Sequence, residues 1–262
     1  MTKILMCSPD YFEVSYDINP WMTKQIGQVN RDLAQIQWYK LYTALKEHAT
    51  VDLISAEPGL PDMVFTANAG TVVKNKVVLS RFAKEPRRGE ETRFAHYFYE
   101  REYTVHQPDE YYEGEGDHLI DSRGRHWLGY GFRTEKIAVH GVEKYLDLAI
   151  MPIGLVDSRW YHLDTAFCPL PGGELMWHSA AFSMKAQNII QQAFPVRFDV
   201  SETDALRFAC NCVCIGRHLF MPAGTVIAGV LRDLDYRVHE FNLSEFIKSG
   251  GAAKCLTLLL EH

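Results

Sequence analysis

Three short polar segments of this 262-residue chain hold side chains able to do acid, base or nucleophilic chemistry. The first is Glu113-Gly-Glu-Gly-Asp117, where three carboxylates alternate with glycines that let the backbone come close to whatever sits there. In the second, Tyr161-His162-Leu163-Asp164-Thr165, a strand would put His162 and Asp164 on the same side. The third is Gly250-Gly251-Ala252-Ala253-Lys254-Cys255, in which a thiol follows a Gly-Gly loop and begins an apolar strand. That position gives the thiol an exposed mouth and backbone amides on which charge can rest. A thiol, an imidazole and several carboxylates are the parts of a covalent catalyst. Taken singly, each has a plainer reading: Cys255 as a packed core thiol, His162 as a satisfied histidine, the acidic run as a solvated turn.

Cys210-Asn211-Cys212-Val213-Cys214 would place three sulfurs on one face of a strand. Zinc spacing normally pairs a C-x₂₋₄-C with a second pair elsewhere, so small apolar packing is the reading taken for this run and for Cys168. No dinucleotide fingerprint, phosphate-binding loop, H-E-x-x-H or G-x-S-x-G is present. Neither a cofactor nor a metal is expected.

The segments have to be positioned by something, and the chain carries a repeat that can do it: two apolar strands across a polar turn, an amphipathic helix, then a short strand. In the first copy Val72-Val73 and Val77-Val78-Leu79 flank Lys74-Asn75-Lys76, Pro86 opens a helix, and Tyr103 to His106 returns as a strand. The second has His118-Leu119-Ile120, Trp127 to Tyr130, a helix over 134–146 and a strand over 149–156. The third has strands over 166–170 and 175–178, a helix over 180–193 and the strand Val196-Arg197-Phe198. The fourth has strands over 210–215 and 219–221, a helix over 225–234 and the strand Arg237-Val238-His239. What remains is a carboxyl-terminal strand over 253–260 and an amino-terminal strand over 3–7, the latter followed by a helix over 24–46 and a strand over 51–55. Pairing the two ends supplies a fifth hairpin and removes an exposed edge. The expected fold is therefore α/β, one domain over residues 1–262, a closed ring of five strand-strand-helix-strand units.

Composition narrows the class. Hydrophobic residues make up 47% and charged residues 23%, with 27 Lys+Arg against 33 Asp+Glu and a net charge of -6. An acidic balance opposes nucleic-acid binding, which draws its affinity from Lys and Arg. Apolar runs such as Leu256-Thr257-Leu258-Leu259-Leu260 are far short of the roughly 20 residues that span a bilayer. The amino terminus has no signal-peptide pattern, which points to a cytoplasmic address, and the six cysteines are then unlike a disulfide framework.

With five pseudo-repeats, Glu113-Gly-x-Gly-Asp117, His162-x-Asp164 and the late Gly-Gly-x-x-x-Cys255, the chain resembles the guanidine-modifying β/α propellers called penteins. Ile18-Asn19-Pro20-Trp21-Met22, the run Pro61 to Gly70, Gly129-Tyr130-Gly131-Phe132-Arg133 and Gly250 to Leu258 resemble more narrowly the arginine dihydrolase domain of cyanobacterial arginine-catabolising enzymes. The resemblance implies Cys255 as nucleophile, His162 as general acid and base, and Glu113 and Asp164 as carboxylates holding a guanidinium. It also implies that Asn19, Asn68, Arg87, Arg133 and the backbone at Ala252 contact the substrate, L-arginine or a close guanidino analogue. Arg87 could equally be a solvated surface charge. Homo-oligomers are left open. Four outcomes are weighed: one hydrolysis giving citrulline, two giving ornithine, transfer of the amidino group to an amine, and a non-catalytic binding role for the same fold. Asn68 bears on the choice, because an amide both donates and accepts and so can hold a ureido group as well as a guanidinium.

Overall fold

The computed structural model describes residues 2–261. It contains five three-stranded sheets, each built with one antiparallel and one parallel pairing. In chain order the elements begin with β1 (Lys3–Cys7), α1 (Arg31–Lys46) and β2 (Thr50–Ile54). Then come β3 (Gly70–Val73), β4 (Lys76–Leu79), α2 (Arg88–Tyr99) and β5 (Thr104–His106). The next unit has α3 (Gly114–Asp117), β6 (His118–Ile120), β7 (His126–Tyr130), α4 (Ala138–Leu146) and β8 (Ile150–Gly154). It is followed by β9 (Phe167–Pro169), β10 (Leu175–Trp177), α5 (Met184–Ala193) and β11 (Arg197–Asp199). The last stretch holds α6 (Glu202–Ala205), β12 (Val213–Ile215), β13 (His218–Pro222), α7 (Ile227–Asp233), β14 (Arg237–Phe241), α8 (Ser244–Ile247) and β15 (Leu258–Glu261).

The sheet orders β3-β4-β5, β6-β7-β8, β9-β10-β11 and β12-β13-β14 repeat one plan, and the fifth sheet, β15-β1-β2, completes it from the two chain ends. Lys3 pairs antiparallel with Glu261 and Leu5 with Leu258, so the termini close the ring as the pattern requires. Two of the hairpins turn on two-residue loops. Lys74-Asn75 joins Val73 to Lys76 with Lys74 at φ 56°, a shorter turn than the Lys74-Asn75-Lys76 expected. Gly216-Arg217 joins Ile215 to His218 with Gly216 at φ 53°.

The core lies between neighbouring units. Leu5 and Cys7 of β1, Leu79 of β4, Phe94 of α2 and Leu258 of β15 pack as one cluster, so no unit hides its apolar face alone. In α1, Ala34, Trp38, Leu41 and Leu45 recur at helical spacing and form the buried stripe.

Helix starts are where structure and expectation part. The first helix begins at Arg31, because the Asn30 side chain accepts from Leu33 N at 3.0 Å and caps it. Residues 24–30 are turns and extended chain. Pro86 sits in a 3₁₀ turn, Glu85–Arg87, that precedes α2. The helices expected from 134, 180 and 225 begin at Ala138, Met184 and Ile227. Ser183 caps the second of these through Ala186 N.

Candidate active site

Each unit contributes the residues just before its first strand, and these five segments hydrogen-bond to one another around the centre of the ring. Asn68 precedes β3, Glu113 precedes β6, His162 and Asp164 precede β9, Asn211 precedes β12 and Cys255 precedes β15. The circuit is continuous. Asn68 Nδ2 donates to the Glu113 carbonyl at 3.3 Å, Glu113 Oε2 meets His162 Nε2 at 2.8 Å, and Asn211 Nδ2 donates to the Asp164 carbonyl at 3.3 Å. Asn211 Nδ2 also donates to Cys255 Sγ at 3.1 Å, and the Cys255 carbonyl accepts from Ala67 N at 3.1 Å.

The sequence allows this crowding through two glycines. Gly114 has φ 56°, and a Cβ there would lie 2.7 Å from Gly70 N. A Cβ on Gly116 would strike the Asn68 amide and stand 3.1 Å from His162 Nδ1. Instead of the turn expected, the acidic segment is one turn of helix, and its three carboxylates diverge. Only Glu113 joins the imidazole. Glu115 pairs with Lys254 at 2.5 Å. Asp117 accepts from Thr134 Oγ1 at 2.7 Å and from Leu163 N at 3.0 Å, tying His162's neighbour to the same turn.

His162 and Asp164 do not share a strand. Residues Leu163–Thr165 form a 3₁₀ turn, so the two side chains serve different partners. His162 joins Glu113, while Asp164 Oδ2 accepts from Cys255 Sγ at 3.2 Å. Cys255 neither begins a strand nor has an open mouth. It lies in a turn before β15 and is 3% exposed. The protein thus builds two linked pairs, a carboxylate-oriented imidazole and a carboxylate-bonded thiol.

The remaining candidates fall in place around these pairs. Arg133 Nη1 lies 3.1 Å from Glu113 Oε2, Nη2 donates to the Ile18 carbonyl at 3.0 Å, and the guanidinium covers the Tyr161 ring at 4.6 Å. Arg87 is buried, which removes the surface reading. Its Nε and Nη2 form a two-pronged pair with Glu90 at 2.9 and 2.8 Å, and Nη1 donates to Asn68 Oδ1 at 2.8 Å. The side chain of Asn19 is turned into its own loop, accepting from Trp21 N at 2.9 Å and donating to the Ser249 carbonyl at 3.0 Å. Ala252 is buried with its N–H on Asn211 Oδ1 at 3.1 Å.

Asn211 escaped the sequence reading. It sits between two cysteines taken as packing, yet it holds the thiol and both the Ala252 and Cys255 amides, each at 3.1 Å from its side chain. The signal was the register itself, since the fourth unit's turn before its first strand had no assigned polar residue. Asn211→Ala should lower kcat by about 10²-fold with little change in folded content, the scale of losing one preorganised donor. Steady-state turnover beside circular dichroism checks it.

Electrostatics separate the two pairs. Burial alone would raise Glu113, but Arg133 and the His162 hydrogen bond outweigh it and hold the carboxyl well below its ordinary range. Burial lowers His162 to about 4 against the opposing pull of Glu113, so the imidazole is neutral at pH 7 and able to act as a base. Burial pushes Asp164 up to about 7, with the Cys255 bond and Lys254 acting the other way. Burial and the Asp164 charge raise the Cys255 thiol well above its usual value.

Two groups could hold a cation. His48, His218 and His239 converge on the surface, and Cys168, Cys212 and Cys214 converge within the ring. Cys210, expected on the same strand face as Cys212 and Cys214, is not in the trio, and Cys168 of the neighbouring unit is.

A family model described as N,N dimethylarginine dimethylhydrolase, eukaryotic, matches residues 8–261. The bifunctional arginine dihydrolase/ornithine cyclodeaminase AgrE of Nostoc is 45% identical over 262 residues, covering 98% of this chain and 37% of that protein. A dimethylarginine dimethylaminohydrolase of Mycobacterium tuberculosis is 37% identical over 98% of this chain and 85% of its own length. Among solved structures, the N-terminal domain of ArgZ, a cyanobacterial arginine dihydrolase captured as a cysteine-to-serine mutant bound to substrate, superposes with a TM-score of 0.98. It is 43% identical and covers 100% of this chain and 99% of its own. The chain therefore spans little more than a third of the length of the bifunctional relatives it matches. No helix among the described residues is long and apolar enough to cross a membrane. The extent of these matches, on a five-unit propeller whose centre joins a thiol, an imidazole and carboxylates, places the chain in the dimethylarginine dimethylaminohydrolase family of guanidine-modifying penteins.

Proposed function

We propose that this chain is an arginine dihydrolase, converting L-arginine and two waters to ornithine, carbon dioxide and two ammonias, with no metal or cofactor in the reaction. The observation that carries the reading is Asn68. Arg87 is donor-only, so its bond fixes Asn68 Oδ1 outward to Arg87 and leaves Nδ2 toward Glu113 and the catalytic pair. An amide so placed tolerates a guanidinium and can donate to the oxygen of a ureido group. The near-identical fold of a relative known as an arginine dihydrolase supports the same choice.

Chemically, Cys255 passes its proton to His162 and its sulfur bonds to the guanidino carbon. Protonated His162 returns the proton to the departing ammonia, leaving a thiouronium on Cys255. Neutral His162 then takes a proton from water, whose oxygen adds to the carbon. Collapse breaks the carbon–sulfur bond and forms citrulline. A second attack on the ureido carbon expels the second ammonia and leaves a thiocarbamate, and water releases carbamate, which falls to ornithine and carbon dioxide. Glu113 orients the imidazole, Asp164 receives the cation, and Arg133 and Arg87 are the donors suited to the substrate carboxylate.

Product ratios test this. Arginine should give two ammonias per ornithine with little free citrulline, and citrulline as the sole product would make the protein a deiminase. Dimethylarginine is the second reading, carried by the matched family. Dimethylamine release without arginine turnover would establish it.

The pH profile gives a further expected result. Asp164 with a pKa of about 7 must ionise to receive a guanidinium, so kcat/KM should climb with pH through about 7 and level off above it. Asp164→Asn should erase that limb. For stability the sign is reversed. The folded chain keeps a proton that the unfolded chain gives up, so the Asp164 contribution is complete below its ordinary value of 3.8 and lost as pH rises through about 7. His162 opposes it, contributing fully above 6.5 and losing that as pH falls through about 4.

A further inference from the structure

On the first strands of the third and fourth units, beside the central circuit whose Asn211 immediately precedes Cys212, three sulfurs meet. Cys168 lies on β9, Cys214 on β12 and Cys212 one residue before β12. Their Sγ atoms all lie within 4.8 Å of one another, and Cys168 Sγ to Cys214 Sγ is 3.8 Å. All three are free thiols, Cys168 and Cys212 buried and Cys214 half-buried. Two thiolates at a zinc–sulfur length of about 2.3 Å in tetrahedral geometry sit roughly 3.8 Å apart, so the observed pair needs no rearrangement to share an ion. Cys214 on β12 and Cys212 just before it bring their sulfurs to the same place. Of the second pair whose absence from the sequence argued against a metal, the neighbouring unit supplies one member, Cys168.

The trio also faces space. A cavity of about 260 Å³ is lined by Cys168, Cys212 and Cys214 together with Lys254, Glu115 and Leu170. Lys254 and Glu115 face that cavity as a pair, Nζ to Oε2 at 2.5 Å, and bring no net charge to it. Among the described residues no fourth His, Cys, Asp or Glu joins the group, so the fourth position of the ion faces the cavity and takes water. Soft thiolates in this number select a thiophilic d¹⁰ ion over magnesium or calcium.

We propose that Cys168, Cys212 and Cys214 form a zinc(II) site that clamps the third and fourth units of the ring. The site is separate from the reaction, because none of the three thiols touches Cys255, His162, Glu113 or Asp164 through a hydrogen bond. Binding would fix β9 against β12, two strands that belong to different sheets.

The test uses the full chain carrying Cys255→Ser, so that the catalytic thiol takes no ion, with cadmium(II) as the thiolate-selective probe and zinc(II) as competitor. One equivalent of cadmium should produce a thiolate charge-transfer band that zinc abolishes, and the ¹¹³Cd resonance should fall in the three-thiolate range. Adding Cys168→Ala and Cys214→Ala should remove the band and weaken cadmium binding by at least 100-fold. The same pair of substitutions in the chain that retains Cys255 should leave arginine turnover unchanged. A band of equal strength in the chain lacking Cys168 and Cys214, a resonance in the oxygen and nitrogen range, or no band at one equivalent would each overturn the site. The resonance is read on protein with all three thiols intact, so it decides the matter even if the substituted chains fold poorly.

Discussion

Cys255→Ser should abolish arginine turnover, by roughly 10⁴–10⁶-fold, the scale seen when a nucleophile is removed from a unit whose members act together. Arginine should still bind, because Asp164, Glu113, Arg87 and Arg133 are untouched. The size of the effect follows from the state of the thiol. In the empty site Cys255 is a neutral donor to Asp164, raised by burial and by that carboxylate. A guanidinium arriving between Asp164 and Glu113 supplies the positive charge that burial withholds, and only then does the thiolate become accessible. Two consequences can be measured. Iodoacetamide should label Cys255 slowly at pH 7 in the free protein, without the fast phase of a resting thiolate. The unmutated chain, quenched rapidly during turnover, should carry a substrate adduct on the Cys255 peptide, read by denaturing mass spectrometry, and His162→Ala, which lacks both the acid for the departing ammonia and the base for water attack, should form and lose that adduct more slowly. An adduct on Cys7 or Cys168, or none, would refute the assignment.

Much of this architecture is written in short-range pattern. The hairpins are legible because apolar pairs such as Val72-Val73 and Val77-Val78 bracket polar turns, and closure of β15 on β1 follows from the need to cover an edge. Helix starts are less so, because the apolar residues Met22, Ile26 and Val29 continue the periodicity of α1 past its true beginning. The Asn30 cap stops it there. The turns that meet at the centre were legible as positions but not as shapes. His162-Leu163-Asp164 reads as alternating strand, yet it must bend into a 3₁₀ turn to give the imidazole to Glu113 and the carboxylate to Cys255. Such bends are set by tertiary bonds, here Leu163 N to Asp117, which no local propensity encodes. Asn211 and the Cys168 partner of Cys212 and Cys214 were hidden for the same reason: each works between neighbouring units, on a residue more than 40 positions away.

Asn68→Asp should shift the product of the proposed reaction from ornithine to citrulline, through one oxygen-for-nitrogen exchange. Asn68 is held at both ends, its Oδ1 by Arg87 at 2.8 Å and its Nδ2 by the Glu113 carbonyl at 3.3 Å. Arg87 is itself fixed by the fork to Glu90, so the amide cannot turn over. Aspartate would keep the Arg87 contact, now as an ion pair, but set an acceptor against the Glu113 carbonyl and against the oxygen of a newly formed ureido group. Guanidinium, which offers only donors, loses nothing by the change; citrulline loses a donor and meets a repulsion. A difference of about 1–3 kcal/mol would speed citrulline release over the second attack by roughly 5- to 150-fold. Asn68→Ser, which cannot reach as far, should move the products the same way by a smaller amount. The first half-reaction should survive in both, because Cys255, His162 and Asp164 keep their bonds. The readout is the citrulline-to-ornithine ratio at early times, with citrulline supplied as substrate in a second assay. The unmutated chain should convert it to ornithine and Asn68→Asp should not, whereas equal conversion by both would mean that the amide has no part in the choice of product.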